Sequence, residues 1–377
     1  MRGLSWTLSR RHFLATAGGA AVAALAAPAR AADFLEYGHS PQQLEAPLSS
    51  FDRLITPNDD FFVRSHFRPP ALRAQRALSI VGDVGRTVSL TPAELRELPS
   101  VTVTAVTVCA GSGRSLYSPR VPGVQWGHGA MGQAEWRGVR LADLLAKAGV
   151  GKAAAHVALI GADLPPLPTT PAFHRSIPLN RALDPTTVVA FEMNGAPIPL
   201  AHGGPTRLVV PGWAADNWTK WLTEIRPQKD EEPGFFMQKA YRMPDTPVKP
   251  GVAVPHDQMS PVHEFPVKSV IAQPAHGRSV PAGRCGVSGV AFSGHGAIER
   301  VQLSGDDGKT WVDASLEGEP GLGRWQVFRA DVELARGTAV VTARATDAKG
   351  NVQPETPSWN PSGYFWNGWH RVSVEVA

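Results

Sequence analysis

The sequence predicts an α+β chain, with a mixed α/β first part followed by a β-sandwich of immunoglobulin type. Three observations carry this. The 377 residues include 37 glycines and 34 prolines, and the helical patterns between them are short, so turns and strands dominate. Residues 154–227 alternate strand and loop without the strand–helix rhythm of a doubly wound sheet. Over roughly the last 115 residues short apolar strands recur about every 8–12 residues between turns.

Residues 1–32 read as an export leader rather than as part of the fold. Ser9-Arg10-Arg11-His12-Phe13-Leu14 precedes a weakly apolar run at 15–27, and Pro28-Ala29-Arg30-Ala31 offers small residues for cleavage. Paired arginines followed by Phe-Leu mark a twin-arginine signal, and the run is too short and alanine-rich for a spanning helix. That route carries proteins already folded, often with a cofactor inserted, so a periplasmic location is expected. The leader holds Arg2, Arg10, Arg11 and Arg30 and no acid. The 37 lysines and arginines of the chain therefore fall to 33 beyond it, against 33 aspartates and glutamates. The apparent basicity belongs to the leader, which leaves nucleic acid and anionic membranes without support as partners. No later segment is apolar enough for a membrane span.

About 345 remaining residues exceed one comfortable core and point to two domains, 33–255 and 256–377. Residues 33–75 read as loop-rich, with Thr56-Pro57-Asn58-Asp59-Asp60 turning the chain before Phe61. Residues 78–82 read as a strand. Thr91 caps a short helix with Pro92 at its first position and Glu94 completing a capping box. The β-branched run Val101–Val108 is a strand, and Leu141–Ala148 an amphipathic helix closed by Gly149. Residues 227–261, rich in proline and charge, read as a linker or wrapping arm. Beyond them, 267–271, 286–292, 298–303, 325–328 and 340–345 are the strands of the sandwich. Asp306-Asp307-Gly308-Lys309 makes a hairpin turn; it lacks the spaced acids and terminal glutamate of a calcium loop.

Cys109 is the main candidate for chemistry. It follows Val106-Thr107-Val108 and opens Ala110-Gly111-Ser112-Gly113-Arg114, a strand running into a glycine-bracketed turn. Arg114 would favour the thiolate, the form that binds metals and attacks electrophiles. On these residues alone a buried structural thiol is the other reading. Cys285 lies far away in an unlike context, so no disulfide framework is expected, and it reads as a packed thiol in the sandwich.

Several segments together resemble the sulfite oxidase family of molybdenum enzymes. They are Phe62-Val63-Arg64-Ser65-His66, the Cys109–Arg114 loop, Pro122-Gly123-Val124-Gln125-Trp126-Gly127 and Ala134-Glu135-Trp136-Arg137-Gly138-Val139. His202-Gly203-Gly204-Pro205-Thr206-Arg207, Trp218-Thr219-Lys220-Trp221 and Trp369-His370-Arg371-Val372 continue the match in order along the chain.

The resemblance implies oxidation of sulfite to sulfate by oxo transfer at molybdenum, held by one molybdopterin dithiolene and the Cys109 thiolate. Arg64 and Arg114 would grip the oxyanion, Tyr241 would orient substrate and couple proton to electron transfer, and Trp126 would wall the pocket. Phe62, Val63, Arg64, Ser65, His66, His202, Arg207, Thr219 and Lys220 would hold the pterin and its phosphate, with Asp163 as a further contact. The sandwich would be the family's dimerisation domain, giving a homodimer. There is no Cys-x-x-Cys-His motif and no spare haem domain, so electrons would leave to a separate c-type cytochrome.

Two departures stand out. Ser112 replaces a commoner asparagine. Trp359-Asn360-Pro361-Ser362-Gly363-Tyr364 follows bacterial sulfite dehydrogenases rather than animal enzymes, which puts any substrate arginine from that segment in doubt. A sibling activity in the same fold is oxidation of carrier-bound sulfane sulfur. Sulfoxide reductases of this fold lack the sandwich. Outside enzymes, a periplasmic binding or adhesion protein built on an immunoglobulin-like module is the competing class, and metal content separates it.

Overall fold

Alternating burial along the β-branched segments sets the layers of this protein, described here by a computed structural model for residues 34–71 and 77–377. The twin-arginine leader lies outside the described residues. The described residues form one compact unit.

The central sheet of the first part runs Ala196–Pro197, Val188–Met193, Met131–Arg140, Val101–Val108, with Arg207–Val209 also pairing with Val188–Met193. Val101–Val108 pairs along its whole length with Met131–Arg140, Val108 opposite Met131, and its last four residues are buried. A second sheet orders Val88–Leu90, Leu78–Ile80, Leu222–Gln228, His156–Gly161 and His174–Pro178, antiparallel except where Leu222–Gln228 lies parallel to Leu78–Ile80. Between them sit the short helices. Pro92–Glu97 has the full capping box from Thr91 and Glu94. Leu141–Ala148 buries Leu141, Leu144, Leu145 and Ala148 on one face and ends at Gly149 with φ 71°.

Two expectations need correction. Residues 33–75 are not merely loops: Leu35–His39, Gln42–Glu45 and Val63–Arg64 form a three-stranded antiparallel sheet. Its strands are two to five residues long and mostly polar, too weak a pattern to register in sequence. Residues 227–261 are not a plain linker either. They contain the helical turn Phe235–Gln238 and a ladder between Arg242–Pro244 and Met259–Pro261. Proline at each end of that ladder hid it.

The sandwich has two sheets. One orders Lys268–Gln273, Gly283–Phe292, Trp325–Leu334, Ser315–Glu317; the other Ser279–Val280, His370–Val376, Gly337–Asp347, Ile298–Ser304, Val312–Asp313. All five expected strands are present, and the turn at Asp307 (φ 57°) and Gly308 (φ 85°) joins Ile298–Ser304 to Val312–Asp313. Cys109 and Cys285 are both free and buried.

The sandwich has its own core around Phe328, Val301 and Val341. The main core does not stop at the sandwich: Phe265, Val270, Phe292, Trp325 and Val327 belong to it along with Phe51, Trp136 and Leu145. Gln133 ties the two parts together. Its amide oxygen accepts from Trp325 N–H (2.7 Å), and its nitrogen donates to Leu54 O (2.8 Å) and Trp325 O (3.3 Å). Among the described residues no helix is long and apolar enough to cross a membrane.

Candidate active site

The site begins where Val101–Val108 runs out. Cys109 N–H still donates to Ala130 O (3.0 Å), and the turn that follows closes with Ser112 N–H on Cys109 O (2.9 Å). Gly111 lets the Arg114 guanidinium lie close: a Cβ there would come within 2.8 Å of it and displace it. Burial pushes the Cys109 thiol up, while Arg64, Arg114 and the Gly111 N–H pull it down. Arg114 thus favours the thiolate, as its charge suggested, but desolvation is the larger effect.

Cys109 opens onto a cleft of about 740 Å³, its mouth included. The expected residues Phe62, Arg64, Ser65, His66, Asp163, His202, Arg207, Lys220 and Tyr241 line it too. Four expected residues do not. Val63 points into the core. Thr219 is buried beside the cleft, its hydroxyl without a partner. Arg114 is taken up by Val124 O and Ser362 O, each at 3.2 Å, and lies over the Tyr364 ring at 5.2 Å. Trp126 is fully buried, edge-on to Tyr37 at 5.0 Å, and is a core residue rather than a cleft wall. The reason is Glu45, whose carboxylate accepts from Gly127 N–H (2.8 Å) and Gly129 N–H (2.7 Å) and pins the loop so that the indole turns inward.

The cleft is rich in unpaired cations. Lys220 Nζ donates to Ser65 Oγ (2.6 Å) and Ala201 O (2.9 Å) and stands 4.4 Å from the Trp221 ring. Gly203 makes room for it, since a Cβ would meet Lys220 Cγ at 2.7 Å. Arg207 is sandwiched between the rings of Trp136 (4.9 Å) and Trp218 (5.6 Å), and its donors end on His202 O and Trp218 O. Arg64 bonds Ser65 O and reaches His66 Nδ1 at 3.2 Å. Among the described residues none of these three forms an ion pair. Burial lowers Lys220 well below its ordinary value and Arg207 to about 9. Asp163, itself raised by burial, acts on Lys220 only through space.

Burying charge without a counter-ion is costly unless an anion completes the site. The same residues then form an anion cradle beside a thiol, and aromatic rings flank the cations. That donor set fits a molybdenum–molybdopterin group: a soft sulfur ligand for the metal and buried cations for a phosphate. Among the described residues no cluster of three or more His, Cys, Asp or Glu could hold a metal unaided, so Cys109 would be the chain's contribution.

A second row lines the same cleft. Tyr241, at φ 54°, places its hydroxyl 2.7 Å from His66 Nε2 and stacks on Tyr364 at 5.4 Å. Trp221, also in the cleft, has φ 50°. Left-handed backbone at two bulky aromatics marks a site under constraint. Burial lowers His66 far below its ordinary value and raises Tyr241. An arginine can only donate, so His66 Nδ1 accepts from Arg64 and Nε2–H is left to donate to Tyr241. The phenol proton is then free to point into the cleft.

Sequence reasoning missed three groups. Arg175, fully buried, underlies the Tyr241 ring at 5.4 Å and pairs with Asp216 at 2.9 Å; Asp216 lines the cleft. Lys268, buried in the first strand of the sandwich, donates to Ser112 Oγ at 3.3 Å and lines a small cavity shared with Cys109. Near it the rings of His128 and His370 lie 4.1 Å apart. The polar residues of a sandwich strand and of a turn gave no periodic signal.

Comparison with known proteins adds the family. The oxidoreductase molybdopterin-binding domain family matches residues 66–236, and the Mo-co oxidoreductase dimerisation domain family matches residues 259–377. The chain is 38% identical over 339 residues to mitochondrial sulfite oxidase of Mus musculus, covering 85% of this chain and 62% of that protein. It is 34% identical over 367 residues to sulfite oxidase of Arabidopsis thaliana, covering 89% and 92%. Among solved structures it resembles the sulfane dehydrogenase SoxCD from Paracoccus pantotrophus, with TM-score 0.78 at 27% identity over 96% of each chain. The chain spans about 62% of the length of the mammalian relatives it matches.

Proposed function

Because the chain belongs to the sulfite oxidase family of molybdopterin oxidoreductases, we propose that it oxidises sulfite to sulfate in the periplasm. In this reading the electrons pass to a separate c-type cytochrome, and the protein acts as a homodimer exported by the twin-arginine route. The observation that carries the reading is the cleft itself, a buried thiol facing Arg64, Arg207 and Lys220, cations without ion pairs.

The molybdenum–molybdopterin group would supply the two-electron redox chemistry that no side chain here can perform. Cys109 would be its protein ligand. Arg207 and Lys220 would take the phosphate, with Ser65, His202 and Thr219 close by as further hydrogen-bonding groups. Arg64, in no ion pair among the described residues, would bind the oxyanion by a charge-assisted hydrogen bond. Tyr241 would donate its phenol hydrogen to a substrate oxygen. His66, kept neutral by burial and the surrounding cations, would keep that hydrogen pointed inward. Positive charge held in a dry cleft supports a developing sulfate more strongly than it would in water.

A second reading, oxidation of carrier-bound sulfane sulfur, is favoured by the likeness to SoxCD over nearly the whole of both chains. One experiment separates the two. The holoprotein, purified from a host that makes molybdopterin, is assayed for sulfite oxidation with cytochrome c beside Cys109→Ser. Fast turnover that disappears in the variant supports sulfite as substrate. Molybdenum-loaded protein inert to sulfite but active on a sulfane-loaded carrier protein supports the second.

A further inference from the structure

Asp216 presents an anomaly within a cleft built for anions. It lines the cleft, its side chain is 2% exposed, and Oδ1 is buried without a hydrogen-bond partner. Among side chains only Arg175 Nη2 donates to the carboxylate, to Oδ2 at 2.9 Å, and the backbone N–H of Asp216 itself also pulls the carboxyl down. No donor of Arg175 reaches Oδ1, although its Nε is buried without a partner. The same Nη2 also donates to Asn217 Oδ1 (2.8 Å), and Nη1 is taken by Phe236 O (2.6 Å). A buried carboxylate with one side-chain donor is poorly solvated, and a carboxylate accepts at both oxygens. The groups that act on it from the surrounding elements are Arg175 on its strand, Cys109 on its turn, and Tyr241 and Tyr364, stacked on each other. An anion entering the cleft adds like charge and pushes the carboxyl further toward its neutral form.

We propose that Asp216 binds the substrate as a neutral acid, its Oδ1–H donating a hydrogen bond to an oxygen of a small oxyanion in the cleft. Arg175 is the positioning residue: it holds Oδ2, which leaves the hydrogen to Oδ1. The proposal deepens the reading of the cleft as a sulfite site and rests on it for the substrate class. Burial carries Asp216 to about 7 against Arg175, which pulls it down, so the neutral acid is present below neutrality and is lost above it.

The test compares wild type with Asp216→Asn and Asp216→Ala across pH 6 to 8.5. Asparagine keeps an oxygen for Arg175 and an N–H for the cleft, and it does not titrate. Since kcat/KM reports the free enzyme, the wild-type to Asn ratio for sulfite should fall by up to roughly thirtyfold over that range. The titration of sulfite itself cancels in the ratio. Asp216→Ala should weaken binding about tenfold or more at pH 6; if it does not fold, the Asn comparison decides.

A second arm uses sulfate, which keeps one charge state across this range, and follows its binding by quenching of Trp218 and Trp221 fluorescence. Wild type should lose sulfate affinity with rising pH and Asp216→Asn should not. Flat ratios in both arms overturn the role of Asp216, even where sulfite is turned over rapidly. A protein inert to sulfite whose sulfate binding shows the wild-type pH loss would overturn sulfite oxidation and leave the role of Asp216 standing.

Discussion

Lys268→Met should make the cofactor-free protein more stable. Lys268 is 4% exposed, its one hydrogen bond is the 3.3 Å contact to Ser112, and the Trp366 ring lies 5.8 Å away. Burial holds its pKa at about 8 against 10.5 in the unfolded chain, with Glu45 and Cys109 opposing that shift by charge. A lysine depressed that far costs roughly 3 kcal/mol at pH values well below 8. Methionine fills the same elongated space without the charge. It forfeits a hydrogen bond of about 1 kcal/mol and a cation–aromatic contact of about 0.5 kcal/mol. The net gain at pH 7 is therefore about 1–2 kcal/mol.

The sign is specific. Because the folded pKa is lowered, the penalty is complete below 8, fades between 8 and 10.5, and is absent above. Urea unfolding of both apoproteins at pH 7 and pH 10 reads this directly. The advantage of the variant should vanish or reverse between the two, because the penalty falls by roughly 2–3 kcal/mol, more than the net gain at pH 7. A variant less stable at pH 7, or a difference independent of pH, would refute the reasoning.

Three further outcomes follow from the same geometry. Arg207→Met should raise apoprotein stability in urea while at least tenfold less molybdopterin stays bound after gel filtration, because the arginine is buried without an ion pair. Tyr241→Phe should lower kcat/KM by about ten- to a hundredfold with little change in urea midpoint, as it removes only the hydroxyl that His66 orients. Glu45→Ala should cost about 3–5 kcal/mol by denaturant titration, since the Gly127 and Gly129 N–H groups lose their carboxylate.

Local signals were the ones legible in sequence. Thr91 with Glu94, Gly149 after its helix, and the β-branched run into Cys109 each act within a few residues, and each appears where expected. The cleft residues were legible for another reason: they sit in short segments whose order along the chain resembles a known family, and most of them converge on one cavity. What escaped was non-local. Arg175 and Asp216 lie 41 residues apart and Lys268 lies 156 from Ser112, so no spacing rule links them. Trp126 misled because a motif conveys that an indole is present but not which way its loop turns; that depends on Glu45, 82 residues before Gly127.

The bridge at Gln133 bears on how this protein is made. The amide grips Trp325, which is synthesised 192 residues later, and the inner core waits on that indole and on Phe292. At about 5–20 residues per second, roughly 10–40 s separate the two on the ribosome. The half that carries Cys109 therefore leaves the tunnel with part of its interior still wet. It can close only when the carboxyl-terminal strands arrive. Truncated chains ending before Trp325 should be substrates for chaperones and proteases rather than small working enzymes.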